Sequence, residues 1–419
     1  MNENPSNREL KYKPRWLASI LREASEEHPV IVLTGARQVG KSTLLRNEPP
    51  FCDWKYVSLD DFDVLSQAKR DPESLWAGAE SVVLDEIHKA PNVLSAVKEA
   101  VDKKQKTRRF VLSGSANLLL MKSVSESLAG RAVYYVLRSM TLGEMSENSP
   151  PELLRMLLDS RFPSEQRLEP HSVDVFPGLW KGFLPALMRL DKPSAILSWW
   201  EGYVATFLER DLRQLSQIDS LSDFRKAMAA LALRCGNVLN QSEAARDTGI
   251  SQATFHRYLN LMETTCLMER LPAFSVNRTK RLTKSPKVMW EDPGLVSFLC
   301  GHFDAESLRA SREVGGVFES MIFLHISSLC QLLVPRPHIF YWRTTAGKEV
   351  DFVLEWGRKL LAVEVKLASE PRFSDTNGLR LFLEEYPETS ACILIHTGNS
   401  IKMMHEKIIA IPWFIMAGL

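Results

Sequence analysis

Residues 35–42 read Gly-Ala-Arg-Gln-Val-Gly-Lys-Ser, and the run just before them, Val30–Leu33, is apolar and rich in β-branched residues. Thr43-Leu44-Leu45-Arg46 can then open a helix. A buried strand breaking into a glycine-bounded turn and then a helix constrains the fold more than any other stretch of the chain. Gly35 and Gly40 let backbone N–H groups turn inward at the positive end of the helix, which suits phosphate oxygens. Lys41 can reach β- and γ-phosphates, and the Ser42 hydroxyl is placed to ligate Mg²⁺. The candidate cradle for ATP is therefore Gly35, Ala36, Arg37, Gln38, Val39, Gly40, Lys41, Ser42 and Thr43.

A length of 419 residues predicts about three domains at the usual ~150 residues each. With 45% hydrophobic and 25% charged residues the chain has a globular composition, and a net charge of +1 neither requires nor excludes nucleic acid. The six cysteines are scattered without a C-x-x-C pair, so neither a zinc knuckle nor a disulfide framework is expected. Met1-Asn2-Glu3-Asn4-Pro5 lacks the apolar core of a signal peptide. The tail Ile408–Leu419 contains Pro412 and is too short to span a bilayer, so it reads as a buried terminal strand. A cytoplasmic protein without a membrane partner is expected.

Four segments are predicted. Residues 1–145 alternate apolar runs with helical stretches, the pattern of a parallel sheet, with strands at Val30–Thr34, Trp54–Leu59, Ser81–Leu84, Phe110–Ser113 and Val133–Leu137. Residues 146–235 read as a linker around a short helix, Glu152–Leu158, followed by a long helical region that would form a lid. Residues 236–300 form a compact winged-helix segment, and residues 301–419 a last α/β domain.

In the first segment Val82–Leu84 ends in Asp85 and Glu86. A carboxylate at the end of a neighbouring strand can hold the water shell of Mg²⁺, the role expected of Asp85, and Glu86 can polarise the attacking water. Ser113, Ser115 and Asn117 follow another apolar strand, and any of the three could sense the γ-phosphate or simply form a turn. Arg131 precedes the strand Val133–Leu137, where AAA+ proteins place an arginine finger acting on a neighbouring subunit. That placement predicts a homo-oligomer; a plain surface arginine is the other reading.

Residues 239–262 have helix-turn-helix spacing: Ala245 for a close crossing, Gly249 for a left-handed turn, Ile250 as a plug and Ser251 as a cap. Thr254, Tyr258 and Leu261 would face inward, and Gln252, His256, Arg257 and Asn260 outward. Arg278, Lys280, Arg281, Lys284 and Lys287 would then make a basic wing for DNA phosphates. The competing reading is a lid or protein-binding module.

Glu349–Leu354 and Leu360–Lys366 read as two strands joined at Gly357-Arg358. A two-residue hairpin there sets Asp351 opposite Glu364, and Lys366 points to the same face as Glu364. Two acids and a lysine on one face suit Mg²⁺ or Mn²⁺ with a group to steady a phosphate, and Glu319 on the preceding helix could add a ligand. The pattern resembles that of PD-(D/E)xK nucleases; a surface salt-bridge cluster or an inactive descendant are the alternatives.

Taken together the chain resembles the prokaryotic predicted ATPases that join an AAA-type P-loop domain to a restriction-endonuclease-like domain of unassigned role. The matching residues are 34–43, Leu84-Asp85-Glu86-Ile87-His88, Ser113-Gly114-Ser115, Ser127-Leu128-Ala129-Gly130-Arg131, Phe207–Leu212, Ser285-Pro286-Lys287, Trp342–Thr345 and Glu349–Phe352. Ser42 stands where the family more often has Thr, and Ser139-Met140-Thr141 replaces a commoner version containing proline. The resemblance implies an α/β protein with an AAA-type parallel sheet, a helical lid and winged helix, and a C-terminal restriction-endonuclease-like domain. Its expected work is ATP hydrolysis coupled to a DNA-directed task, with cleavage of nucleic acid a further expectation. A nucleotide-dependent switch or scaffold is the alternative.

Overall fold

The computed structural model describes residues 11–103, 108–114, 128–169, 174–206 and 220–419. Ser115, Asn117, Ser127 and Phe207–Leu212 lie outside the described residues. The chain forms two compact units, one reaching to Met140 and including Pro185–Asp191, the other Thr141–Leu184 with Lys192–Leu419.

The first unit is built on five parallel strands: β1 (Val30–Thr34), β2 (Lys55–Ser58), β3 (Ser81–Asp85), β4 (Arg109–Ser113) and β5 (Ala132–Val136), in the order β2-β3-β4-β1-β5. Parallel strands covered on both faces need continuous apolar runs, and β1 is buried at all five positions. The helix Val93–Asp102 buries Val93, Leu94, Val97 and Ala100, the spacing of one helical face. Trp76 meets Phe110 edge to face at 5.2 Å in the same core. β1 is an interior strand, between β4 and the edge strand β5, and its C-terminal end runs into the glycine-bounded loop. Ligands of such sheets bind at this end.

The second unit contains a seven-stranded mixed sheet. Its strands are β6 (Gln166–Arg167), β9 (His338–Arg343), β10 (Glu349–Trp356), β11 (Lys359–Val365), β12 (Ala391–His396), β13 (Ser400–His405) and β14 (Ile408–Pro412), ordered β6-β13-β14-β12-β11-β10-β9. The strand β6 comes from the stretch expected to be a linker; it pairs with β13 through Ser400 and Ile401 and so joins this sheet. The terminal apolar run is a buried strand only to Pro412, and Trp413–Met416 turn into a short helix. Among the described residues no helix is long and apolar enough to cross a membrane.

Three helices, Leu221–Ala232, Gln241–Thr248 and Gln252–Thr264, precede an antiparallel ribbon of β7 (Met268–Leu271) and β8 (Lys287–Trp290). Asn240 and Ser251 cap the second and third helices by accepting the Glu243 and Thr254 N–H groups, and Gly249 takes φ +69° between them. The third helix buries Phe255, Tyr258, Leu259, Leu261 and Met262. Tyr258 and Leu261 face inward as expected, but Thr254, within reach of the Ser251 hydroxyl, is only half-buried and Phe255 takes the core position at that end. The connection between β7 and β8 contains a helix, Arg278–Thr283, and Pro272 and Phe274 bond to Tyr341 of β9. The ribbon is thus continuous with the edge of the seven-stranded sheet.

Candidate functional site

The loop between β1 and the helix Lys41–Asn47 needs its glycines. Gly35 has φ +144°, and a Cβ there would lie 2.1 Å from the Leu137 carbonyl oxygen; Gly40 has φ +97°. The Lys41 ammonium is buried and donates to the Gly35 and Ala36 carbonyls at 3.0 and 2.9 Å, inside the loop. Arg15, which the sequence reading missed, laces the loop to the segment after β5: it donates to the carbonyls of Val39 at 2.8 Å and Arg138 at 2.7 Å. Beside the loop lies a cavity of about 250 Å³ lined by Tyr12, Arg15, Thr43, Met140, Pro185 and Met188, among others. Its size and mixed lining suit a nucleobase.

Asp85, at the end of β3, is almost fully buried and surrounded by neutral donors. One carboxylate oxygen accepts from Ser42 Oγ at 2.7 Å and from the Tyr56 phenol; the other accepts from the Glu86 N–H at 3.1 Å and from Ser113 Oγ. Burial, reinforced by the bond to Asp85, pushes the Tyr56 pKa up to about 12, so Tyr56 remains a donor at neutral pH. Arg46 lies over the Tyr56 ring at 4.2 Å. Of the three γ-phosphate sensor candidates, Ser113 is engaged with Asp85, and the other two lie outside the described residues. Mg²⁺ favours oxygen ligands, and the paired Ser42 hydroxyl and Asp85 carboxylate at the mouth of the loop fit it.

Glu86 takes the left-handed conformation, φ +56°, which is costly for a residue with a Cβ, and its carboxylate lies 3.1 Å from His88 Nδ1. The turn carries Glu86 out of the strand line, so two consecutive acids have different surroundings. Arg131 is held by Asp102 of its own chain through two bonds, 2.6 and 2.9 Å. Action on a neighbouring subunit would require it to leave that partner.

In the second unit β10 and β11 pair in the expected register, with Phe352 opposite Val363 and Trp356 opposite Lys359. Asp351 and Glu364 then follow as the next opposed pair, both buried. Asp351 Oδ2 accepts the Val365 N–H at 2.9 Å, and Lys366 Nζ donates to Glu364 Oε1 at 2.6 Å. Gly236 and Gly316 allow the helix Val314–Cys330 to press close, since a Cβ on Gly236 would lie 2.7 Å from Gly316 Cα and 3.1 Å from Glu319 Oε2. Glu319 thereby joins the group.

At its centre is Lys287. The sequence reading put this residue on an exposed basic wing; it is 1% exposed, and its Nζ lies 2.8 Å from Glu319 Oε2, 2.9 Å from Glu349 Oε1 and 2.8 Å from Asp351 Oδ1. Burial opposes its charge, but Asp351, Glu319 and Glu349 outweigh burial and hold its pKa well above the ordinary lysine value. Two ammonium groups, Lys287 and Lys366, face four carboxylates, Glu319, Glu349, Asp351 and Glu364. Burial, and then the charge of Asp351, push the pKa values of Glu319 and Glu364 upward. The expected divalent metal on Asp351, Glu364 and Glu319 does not fit this arrangement, because a side-chain cation sits among those acids. Among the described residues no group of three or more histidine, cysteine or acidic side chains is arranged to hold a metal ion.

Arg281 is the second inward cation of the expected wing. It pairs with Glu355 through two bonds, 2.7 and 2.9 Å, and lies over the rings of Phe274 and Phe340. Arg278 and Lys284 are exposed, as are Gln252, His256 and Arg257 on the third helix, whereas Asn260 accepts a bond from Arg270.

Sequence families match three parts of the chain: an AAA domain over residues 27–146, a domain of unknown function (DUF8612) over 175–306, and a domain of unknown function (DUF4143) over 314–416. The chain therefore carries an AAA-type P-loop ATPase domain and a C-terminal DUF4143 domain. It is 28% identical over 403 residues to uncharacterized proteins of Mycobacterium bovis and Mycobacterium tuberculosis, covering 95% of this chain and 83% of each relative. A Walker-type ATPase of Pyrococcus abyssi resembles it loosely in structure, with a TM-score of 0.44 and 17% identity over 70% of this chain and 99% of that one.

Proposed function

We propose that this protein is a Mg²⁺-dependent ATPase. The observation that carries the reading is the bond between Ser42 Oγ and Asp85, which brings two oxygen ligands together at a loop shaped for phosphate. In this reading Gly35–Thr43 bind the phosphates and Lys41 leaves the loop carbonyls for the β- and γ-oxygens. Ser42 and Asp85 hold Mg²⁺, and Glu86 orients the attacking water. Bound Mg²⁺ would supply neutralisation of charge on the transferring phosphoryl group. Arg131 completes the site of a second copy in a homo-oligomer.

Hydrolysis serves a macromolecular task, with the helix-turn-helix segment and its ribbon as a winged-helix module. Exposed Gln252, His256, Arg257, Arg278 and Lys284 suit DNA. The inward turn of Arg281 and Lys287 favours a second reading, a nucleotide-dependent switch whose ribbon is docked on its own C-terminal domain. Asp351, Glu364 and Lys366 enter as parts of that docking cluster rather than as a metal-dependent nuclease.

The test is ATP binding and turnover by the full chain. Lys41→Ala should lose nucleotide binding, and Glu86→Gln should keep binding while turnover falls by about 10²-fold or more. Turnover at the wild-type rate in Glu86→Gln would remove Glu86 from the mechanism.

A further inference from the structure

The acids of the second unit present a chemical problem that the ATPase reading does not touch. Gathering four carboxylates, two of them buried and two half-buried, is costly unless a cation compensates. Lys366 compensates only one of them, at Glu364, and its own side chain is 41% exposed. The other three, Glu319, Glu349 and Asp351, converge on one nitrogen at 2.8–2.9 Å. Those acids come from the helix Val314–Cys330 and from β10, while the nitrogen comes from β8 of the ribbon. Glu364, opposite Asp351, is more than nine-tenths buried, and its Oε2 has no hydrogen-bond partner. A carboxylate oxygen buried in this way is a ligand position left over once the ammonium has satisfied its neighbours.

We propose that Lys287 is the resident cation of this cluster, fastening the ribbon to the C-terminal sheet and excluding divalent cations from Glu319, Glu349, Asp351 and Glu364. An ammonium ion carries one charge and can donate three hydrogen bonds; Lys287 donates to Glu349 and Asp351 and pairs by charge with Glu319 Oε2 at 2.8 Å. Mg²⁺ and Mn²⁺ take the same hard oxygens but carry two charges and use more ligands. Removal of the ammonium leaves four acids against Lys366 and the more distant Arg343, 3.8 Å from Glu349 Oε2, with Glu364 Oε2 without a hydrogen-bond partner. The cluster then becomes a divalent-cation site, and Lys287 is the internal plug that closes it. The inference is independent of nucleotide hydrolysis.

The experiment is calorimetric titration of the nucleotide-free full chain with Mn²⁺, using wild type, Lys287→Gln, and Lys287→Gln combined with Asp351→Asn. Wild type should bind no Mn²⁺ that depends on Asp351. Lys287→Gln should gain one site, at least about tenfold tighter than any in wild type, and lose it again in the double variant. A wild-type site abolished by Asp351→Asn would overturn the proposal, as would a folded Lys287→Gln protein that gains none. If Lys287→Gln folds only with Mn²⁺ present, the exchange of one cation for another is supported. Failure to fold with or without Mn²⁺ counts against it.

Discussion

Asp85, at the end of β3, and Asp351, third in β10, are both buried acids, but their neighbours differ. Asp85 is surrounded by three hydroxyl groups and one backbone N–H, all neutral. Asp351 is bonded by a backbone N–H and by an ammonium shared with two other acids. Neutral donors bond a carboxylate without setting an opposite charge against it, which suits the Mg²⁺-ligand role proposed for Asp85. An ammonium cancels charge, so Asp351 is already served. The same residue type is therefore placed to serve an exchangeable site in the proposed function of one unit and a structural joint in the proposed role of the other.

The largest expected effect breaks the joint. Lys287→Ala leaves buried Asp351 and half-buried Glu319 and Glu349 without their shared partner, and unfolding free energy should fall by about 3 kcal/mol. Chemical denaturation measures this, and a loss under about 1 kcal/mol would mean that the cluster opens to solvent and is no lock. On the other side, Tyr56→Phe removes one neutral donor from Asp85. A net hydrogen bond of about 1 kcal/mol implies roughly fivefold weaker Mg²⁺-ATP binding or turnover, with folding kept. A hundredfold loss in this variant would show that Tyr56 does more than position Asp85.

The contrast also explains what was legible in the sequence. The phosphate loop and the β10–β11 hairpin are local patterns, so spacing alone fixed Lys41, Ser42 and the opposition of Asp351 to Glu364. Five cations near one another between residues 278 and 287 looked like an exposed wing for the same local reason. What turns Lys287 inward is Glu349 and Asp351, 62 and 64 residues further along, and no window on the sequence joins them. Tyr56 was missed for a related reason: a tyrosine in a strand reads as core, and its partner Asp85 lies 29 residues away on the neighbouring strand. On the helix Gln252–Thr264 spacing identifies Tyr258 and Leu261 as inward but not Phe255, because Thr254 sits beside the Ser251 cap while Phe255 packs inside.

The most direct measurement is Mn²⁺ binding to the wild-type chain by electron paramagnetic resonance, with and without a non-hydrolysable ATP analogue. The account predicts Mn²⁺ bound with the analogue, lost in Lys41→Ala and unaffected by Asp351→Asn, and no protein-bound signal without nucleotide. Mn²⁺ bound without nucleotide and lost in Asp351→Asn would contradict it.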